Sequence, residues 1–231
     1  MSRYIIDKNK LIENINIIKE KAGVEVIGVV KGNGYGFGMA NLAEILMQNG
    51  IKTFAVTEVY DIPLLRETVL DNDILVMRST CVEEEAKTIA QYDCIATIGS
   101  LSSAEVMDKV SKELGKKTKC HLKIDTGMGR YGFLPSQVES AIKCYDFENL
   151  DFCGAYTHFS SAFHNVQLTK VQLEMFKDTI KQIEKAGKSV GKLHASNSPA
   201  LLNVDGVSLD AVRIGSAFTG RVITKNKNPL N

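Results

Sequence analysis

Residues 29–38 read VVKGNGYGFG, and this stretch decides the fold class of the chain. It begins at the end of an apolar run over residues 24–30, which is typical of a parallel strand buried on both faces. Glycines at 32, 34, 36 and 38 then indicate a tight turn, and residues 39–48 have the apolar spacing of a helix. The order of strand, turn and helix is one βα unit, and it puts Lys31 where the strand stops.

The rest of the chain repeats this βα pattern after an N-terminal helix that Asp7 caps. The predicted strands cover residues 24–30, 53–57, 73–77, 94–98, 119–124, 151–156, 192–195 and 209–214. The predicted helices between and after them cover residues 39–48, 61–69, 83–91, 102–114, 135–144, 168–185 and 199–202. Repeated βα units give parallel strands that are joined by right-handed crossovers.

Eight parallel strands within 231 residues close most simply into an α/β barrel of the (β/α)8 type, a TIM barrel. A doubly wound open sheet is the alternative architecture. The predicted barrel domain covers residues 1–220. Residues 221–231 turn polar, and they are predicted to be a linker or a tail.

The composition argues against several classes of protein. The chain has 28 Lys and Arg against 27 Asp and Glu, so no field of one sign invites nucleic acid. It has no run of about 18 apolar residues, so we predict no membrane segment, and the first residues lack an apolar signal region. Five cysteines without paired spacing favour reduced thiols and a cytoplasmic location.

Polar side chains collect where the predicted strands end. In a parallel barrel the active site lies at the carboxyl ends of the strands. The residues at these ends are Lys31, Asn33, Tyr35, Asp125, Arg130, Thr157, His158, His194, Ser196, Asn197, Ser198, Arg213, Gly215 and Ser216. We therefore expect a single site at this end of the barrel.

Lys31 is the candidate reactive group of this site. A desolvated lysine amine shifts its pKa readily, and a neutral amine forms an imine with a carbonyl compound. The position of Lys31 directly after a buried strand favours this chemistry. The alternative is a lysine whose ammonium reaches back to solvent from the strand end.

Two further stretches are candidate anion sites. Residues 196–198, Ser-Asn-Ser, precede a short helix, and Gly215 and Ser216 offer unhindered backbone N–H groups. Loops after the seventh and eighth strands of such barrels often bind phosphate, although capping of the helix by Ser198 would also explain the first stretch. A phosphate pocket together with an imine-forming lysine indicates pyridoxal phosphate or a phosphorylated substrate that is held as an imine.

Four more polar residues have specific predictions. Arg130 lies in a glycine-flanked loop, which favours binding of a carboxylate or phenolate. Lys123 alternates with apolar residues in a strand, so it faces inward and needs a partner or a change of charge, unless it snorkels past a helix. His158 and His164 lack the clustered carboxylates of a metal site, so we predict no metal, and His158 is a hydrogen-bonding neighbour of a charged group.

Several long motifs, in their order along the chain, resemble one known family. They are VVKGNGYGFG at 29–38, FAV at 54–56, HLKIDTGMGR at 121–130, THF at 157–159, NS at 197–198 and VRIG at 212–215. The chain resembles the N-terminal barrel domain of the alanine racemase family, the fold-type III pyridoxal-phosphate enzymes. It departs from the family at Gly32 and Gly34, where alanine is usual, and at Phe37 and Thr219, where histidine and tyrosine are usual.

The resemblance implies a role for each matching residue. Lys31 would bind pyridoxal 5'-phosphate as an imine, the internal aldimine, and would be the base on one face of the substrate Cα. By the same resemblance, the cofactor phosphate would be bound by Tyr35, Ser198, Gly215 and Ser216, with Asn197 beside them. Arg213 would contact the pyridine nitrogen, and His158 would support Arg213. Arg130 would contact the cofactor phenolate and the substrate carboxylate. Lys123 matches a lysine that some relatives carry as a carbamate, an anion facing Arg130.

The activity that the resemblance implies is that of an isomerase, a racemase that interconverts L-alanine and D-alanine by proton exchange at Cα. Two-base racemisation needs an acid and a base on opposite faces, and this chain has one obvious base. Family members carry a C-terminal β-rich domain that supplies an opposite-face tyrosine across a dimer interface. We expect a homodimer when that domain is present.

Alternatives to this activity stay open. A racemase for serine or another small amino acid fits the same motifs. A stand-alone protein that binds pyridoxal phosphate with little or no racemase activity fits the length of the chain. A Schiff-base aldolase barrel fits the phosphate loops, but the long motifs disfavour it.

Overall fold

The computed structural model describes residues 5–224 and 228–231. Residues 1–4 of the predicted barrel domain and residues 225–227 of the predicted tail lie outside the described residues. The strands are β1 (Glu25–Val29), β2 (Thr53–Val56), β3 (Asp73–Ser79), β4 (Ile95–Ile98), β5 (Thr118–Lys123), β6 (Leu150–Tyr156), β7 (Lys192–His194) and β8 (Ala211–Ile214).

The eight strands are parallel and form a closed barrel in chain order, in which β1 pairs with both β2 and β8. This closure confirms the predicted (β/α)8 barrel and shows that the open sheet is wrong. Each predicted strand corresponds to an observed one, and their ends differ by at most two residues.

Helical segments precede β1 and follow the strands. They are α1 (Lys8–Ala22), α2 (Lys31–Tyr35), α3 (Met39–Gln48), α4 (Ile62–Val69), α5 (Glu83–Gln91), α6 (Leu101–Glu113), α7 (Val138–Lys143), α8 (Val166–Lys185) and α9 (Ser198–Asn203). Of these, α2 is a five-residue turn at the mouth of the barrel, left-handed from Gly32 to Tyr35. Asp7 caps α1 as predicted, because its carboxylate accepts the backbone N–H groups of Asn9 and Lys10. Within the described ranges, none of the helices has both the length and the apolar character that crossing a membrane requires.

The predicted helix over residues 135–144 is shorter than expected. It is divided into a 3₁₀ turn at Pro135–Gln137, α7, and a second 3₁₀ turn at Cys144–Asp146. Pro135 has no N–H group, and the N–H of Gln137 bonds back to Leu134 O at 2.8 Å, three residues away.

Successive side chains along each strand point alternately outward, toward the helices, and inward, into the barrel. Residues such as Val26, Leu122 and Val212 pack under the helices in the main hydrophobic core. Their neighbours point into the barrel, where Ile27, Val29, Ala55, Leu75, Ile95 and Ala211 form an apolar cluster. The same inner face carries buried polar side chains, namely Thr97, His121, Lys123, Tyr156, His194 and Arg213. Buried cations inside a barrel are expensive unless they are bonded, so they indicate a functional interior.

The glycine-rich turn after β1 has left-handed backbone conformation. Gly32, Asn33, Gly34 and Tyr35 have φ values of 59°, 51°, 61° and 55°. Glycine is needed most at position 34, since a Cβ there would lie 3.2 Å from the Cα of Met39. The side chain of Asn33 accepts the N–H of Met39 at 2.9 Å and so joins the turn to α3.

The end of the chain packs back onto α1. Asn231 N donates to Asn14 Oδ1 at 2.7 Å, Asn14 Nδ2 donates to Asn231 O at 3.0 Å, and Leu230 is buried. The described part of residues 221–231 is thus in contact with the barrel. Whether it is a linker or a tail stays a prediction.

Candidate active site

Lys31 lies at the mouth of the barrel, at the start of the left-handed turn. Its side chain is half-buried, and burial, followed by the charge of Arg130, lowers the pKa of its amine below 10.5. A cavity of about 570 Å³ opens beside it and is lined by Lys31, Gly32, Asn33, Tyr35, Thr57, Glu58, Tyr60 and Asp61. A lowered pKa increases the fraction of neutral, nucleophilic amine at neutral pH.

Tyr35 reaches across the mouth to the turn that follows β8. A Cβ on Gly215 would lie 2.1 Å from the Tyr35 hydroxyl oxygen, so the approach requires a glycine there. The backbone of Ser216 bonds this hydroxyl, and burial raises the pKa of Tyr35 to about 12. Ser198 Oγ accepts the N–H groups of Gly215 and Ala217 at 3.3 and 3.4 Å. The predicted phosphate-binding residues therefore lie together.

Arg213 is buried inside the barrel and bonds neutral acceptors. Its Nη1 donates to His194 Nδ1 at 2.7 Å, and its Nη2 donates to Thr157 O at 2.7 Å and Ala195 O at 3.0 Å. His158 Nδ1 lies 3.3 Å from Nη2. Burial lowers the pKa of Arg213 to about 10, so the guanidinium still carries its charge at neutral pH.

Lys123 is a second buried cation, 2% exposed, with its amine inside the barrel, so it does not snorkel. Its Nζ donates to Ile124 O at 2.8 Å and lies 5.6 Å from the centre of the Tyr156 ring. Burial lowers the pKa of Lys123 to about 7, although the charge of Asp125 acts in the opposite direction. The neutral form of this amine is therefore far more accessible near neutral pH than that of an ordinary lysine.

The loop that carries Arg130 is wrapped around one carboxylate. Asp125 Oδ1 accepts the N–H groups of Gly127 and Met128 at 2.9 and 2.7 Å, and Oδ2 accepts those of Gly129 and Arg130 at 2.8 and 3.1 Å. The glycines of the motif allow this turn, since Gly127 and Gly129 have φ values of 121° and 70°. The exposed Arg130 side chain is near enough to Lys31 to lower its pKa.

Gln172 is a site residue that the sequence did not indicate. It lies on α8, is 1% exposed, and its Nε2 donates to Thr126 O at 3.2 Å. Its Oε1 accepts the N–H and the hydroxyl of Ser160 at 3.1 and 3.2 Å. Gln172 therefore joins the loops after β5 and β6. A lone amide in an amphipathic helix gives no signal that would have found it.

The structure brings most of the predicted site residues to one mouth. Lys31, Tyr35, Arg130, His158, Asn197, Ser198, Arg213, Gly215 and Ser216 surround it, and Lys123 lies inside the barrel near them. Asn197 caps α9 through Ala200 N at 3.1 Å and lies 3.3 Å from His158 Nε2. His164 is exposed on the loop before α8, and no group of three or more His, Cys, Asp or Glu suited to a metal occurs in the described part of the chain.

The charge of the mouth favours anions. Desolvation of the His158 ring, followed by the positive charges of Arg213, Arg130, Lys123 and Lys31, keeps the pKa of His158 well below 6.5. Asp125 offsets Lys123, but its oxygens are already bonded to the loop. Glu58 and Asp61 lie on the wall of the cavity. This interior fits a ligand with several negative groups next to Lys31.

The fold and the site together define a class: a closed (β/α)8 barrel whose mouth combines a desolvated lysine with an anion-binding turn. The family can be stated more narrowly. A family profile described as "Alanine racemase, N-terminal domain" matches residues 6–222, so the chain belongs to this family. The predicted resemblance is confirmed.

Curated relatives agree with the profile. The alanine racemase of Methanococcus maripaludis is 35% identical over 92% of this chain, and that of Treponema denticola is 33% identical over 99%. The matches cover 57% and 62% of those two proteins. The chain therefore spans about three fifths of the length of these relatives.

Solved structures have the same fold. The alanine racemase of Clostridium difficile 630 is 28% identical, with a TM-score of 0.88 over 95% of this chain and 61% of that one. The Bacillus anthracis enzyme with bound L-Ala-P is 26% identical, with a TM-score of 0.86 over 96% and 60%. The Bartonella henselae alanine racemase, 24% identical with a TM-score of 0.83 over 93% and 62%, contains covalently bound pyridoxal phosphate.

Proposed function

We propose that this chain is the cofactor-binding barrel of a pyridoxal-phosphate-dependent racemase that interconverts L-alanine and D-alanine. The observation that carries the proposal is the position of Lys31. Its amine has a lowered pKa, and it shares one mouth with the Tyr35–Gly215 contact and the buried Arg213. Membership of the alanine racemase family supports the choice of substrate.

The residues present fit pyridoxal phosphate. When bound, this cofactor supplies an aldehyde for an amine and a ring that withdraws electrons from the substrate Cα. Tyr35, Ser198, Gly215 and Ser216 would hold its phosphate, with Asn197 orienting the same turn. The fit rests on a cradle in which the backbone at Gly215 is open enough for a hydroxyl to approach within bonding distance.

Lys31 holds and moves the proton in this proposal. Its amine loses a proton more easily than an ordinary lysine, so it suits a base on one face of the substrate Cα. Arg130 would bind the substrate carboxylate, because a guanidinium forms paired, charge-assisted bonds with such a group. The small amino acid would thus be held between these two side chains.

Arg213 would face the ring nitrogen of the cofactor. A guanidinium only donates hydrogen bonds, so it leaves that nitrogen without a proton. The bonds of Nη1 and Nη2 to His194, Thr157 and Ala195 fix the plane of the group. His158 would support Arg213 at Nη2, from which its Nδ1 lies 3.3 Å.

Lys123 would be carried as a carbamate. The neutral form of a buried amine with a pKa of about 7 is the form that reacts with carbon dioxide. The product is an anion, which would replace one cation of a crowded cluster and attract Arg130. Intact mass measured under carbon dioxide would test this, with an exposed lysine variant, Lys52→Arg, as the control.

A second base and a partner chain complete the proposal. Proton exchange on both faces needs a second group opposite Lys31, and we propose that it lies outside this chain and is presented in a homodimer. The relatives are longer than this chain, which supports a contribution from further residues. We expect the protein to act in the cytoplasm.

The first experiment tests cofactor binding. Reduction with borohydride after incubation with pyridoxal phosphate should fix a pyridoxyl group on Lys31, as read by peptide mass spectrometry. Lys31→Arg should lose the label, whereas Lys52→Arg should keep it. A label spread over exposed lysines, or retained in Lys31→Arg, would overturn the proposal.

The second experiment tests racemisation. Formation of D-alanine from L-alanine should be fast with a chain extended past residue 231 and slow with residues 1–231 alone, with serine as a competing substrate. Equal, low turnover in both would favour the second candidate, a pyridoxal-phosphate-binding protein without efficient catalysis. The matches cover only 57% and 62% of the two racemases, so the comparison with an extended chain is the one that separates the two candidates.

A further inference from the structure

The inside of the barrel contains a chain of hydrogen bonds that extends from Arg213 to a histidine outside the proposed site. Arg213 Nη1 lies 2.7 Å from His194 Nδ1, and His194 Nε2 lies 2.9 Å from His121 Nδ1. His194 is fully buried, and His121 is 3% exposed. The three residues come from β8, β7 and β5, so the chain of bonds crosses the interior.

The chemistry of arginine fixes the direction of every bond. A guanidinium only donates, so His194 Nδ1 must be the acceptor and must carry no proton. Neutral His194 then carries its proton on Nε2 and donates it to His121. His121 Nδ1 therefore has no proton, and its own proton is on Nε2. The reverse direction would need a His194 without any ring proton, an imidazolate.

The neighbouring strand is shaped to accept the His121 ring. Gly154 on β6 lies opposite His121 in the strand register. A Cβ at Gly154 would lie 2.4 Å from His121 Nε2 and 2.5 Å from Cδ2, well inside contact distance. The ring of Tyr156 stacks on the ring of His194 with centroids 4.8 Å apart. This contact holds His194, the middle residue of the hydrogen-bonded series, in place.

We propose that His121 and Gly154 are positioning residues that set the tautomer of His194 and thereby the orientation of Arg213. Gly154 provides the space for the ring, and His121 accepts the single ring proton of His194. Nδ1 of His194 is then always free to accept from Arg213. The meaning of this for a bound ring nitrogen rests on the proposed function, but the tautomers themselves do not.

Nitrogen NMR of histidine-labelled protein without cofactor tests the tautomers directly. Bare and protonated ring nitrogens have well separated resonances. Both His121 and His194 should be neutral with the proton on Nε2. A proton on Nδ1 of either ring, or a charged His121 in the folded protein at neutral pH, would overturn the proposal.

Variants test the positioning role. His121→Asn places an amide oxygen near the position of Nδ1, so it should keep the His194 resonances. His121→Leu removes the acceptor, so His194 should lose its single set of resonances, and the affinity for pyridoxal phosphate should fall about tenfold. Wild-type spectra and affinity in His121→Leu would refute the role.

Gly154→Ala should have the same effect as His121→Leu, because its new methyl group occupies the place of the ring. Gly28→Ala on β1 is the matched control, since its Cβ would meet side-chain methyl groups of Ile51 and Leu46 at 3.1 and 3.2 Å, and neither belongs to the hydrogen-bonded histidines. An unchanged His194 in Gly154→Ala would contradict the proposal. If Gly154→Ala fails to fold, the His194 resonances and the affinity for pyridoxal phosphate in His121→Asn and His121→Leu still test the proposal. A protein with the expected tautomers that does not bind pyridoxal phosphate would refute the proposed function and leave the tautomer chain intact.

Discussion

The carboxylate of Asp125 offers the most direct perturbation of the site without touching a ligand. It accepts four backbone N–H groups, from Gly127, Met128, Gly129 and Arg130, at 2.7–3.1 Å. Asp125→Asn keeps one acceptor oxygen, so two of the four N–H groups would face an NH₂ group instead. Hydrogen bonds to a charged group contribute about 1.5–3 kcal/mol each, so the loss of two of them should lower the free energy of unfolding by about 3–6 kcal/mol.

The free energy of unfolding should also depend on pH differently in the wild type and in Asp125→Asn. Burial alone would raise the pKa of Asp125, but the N–H groups of Gly127 and Met128 and the charge of Lys123 lower it overall. A carboxyl with a lowered folded pKa stabilises the protein fully above its ordinary pKa, and this stabilisation is lost as the pH falls through the folded pKa. The variant should therefore lose less stability in acid than the wild type.

Urea unfolding followed by circular dichroism at neutral pH and in acid measures both effects. Asp178→Asn is the matched control, because Asp178 is exposed on α8 and its carboxylate bonds the exposed Lys181 at 3.1 Å. The pKa of Lys31 in Asp125→Asn is a second measurement. It should rise if the loop no longer holds Arg130 near Lys31. A wild-type urea midpoint for Asp125→Asn would refute the reasoning.

Three further predictions address other parts of the site. Gly215→Ala should weaken binding of pyridoxal phosphate at least tenfold in a fluorescence titration, because its Cβ would displace the Tyr35 hydroxyl from 2.1 Å, and wild-type affinity would contradict this. Gln172→Leu should lower the free energy of unfolding by about 2–4 kcal/mol in urea, because it leaves Thr126 O and the Ser160 N–H without their buried partner, and an unchanged midpoint would count against it. The midpoint for borohydride-trapped adduct on Lys31 should lie below pH 10.5, since the neutral amine is the reactive form, and a midpoint at or above that pH would be the contrary result.

The sequence was sufficient for the barrel because its strands are short apolar runs separated by helices of regular spacing. The rule that parallel barrels place their chemistry at the carboxyl ends of strands then selected Lys31 and Arg213. The spacing of His121 and Lys123, two residues apart in β5, also indicates that both face inward. It does not reveal that His121 meets His194, because that contact joins residues 73 positions apart.

Other features depend on geometry that composition does not encode. Gln172 resembles an exposed amide in its amphipathic helix, and its burial follows from how α8 packs over two loops. Asp125 was visible only as part of a motif, and its four bonds appear when the loop closes around it. The glycines at 32 and 34 predicted a turn, but the left-handed conformation also includes Asn33 and Tyr35, which sequence alone would not assign.

The neutral surroundings of Arg213 link ligand supply to the lifetime of the protein. In the described structure its guanidinium bonds imidazole and carbonyl groups rather than a carboxylate, so folding takes a full positive charge out of water without an ion of opposite sign. An anion that arrives at the mouth recovers part of that free energy, and it stabilises the folded state in proportion to the logarithm of its concentration over its dissociation constant. Chains made when the anionic ligand is scarce would therefore unfold, and be degraded, sooner than chains made when it is abundant.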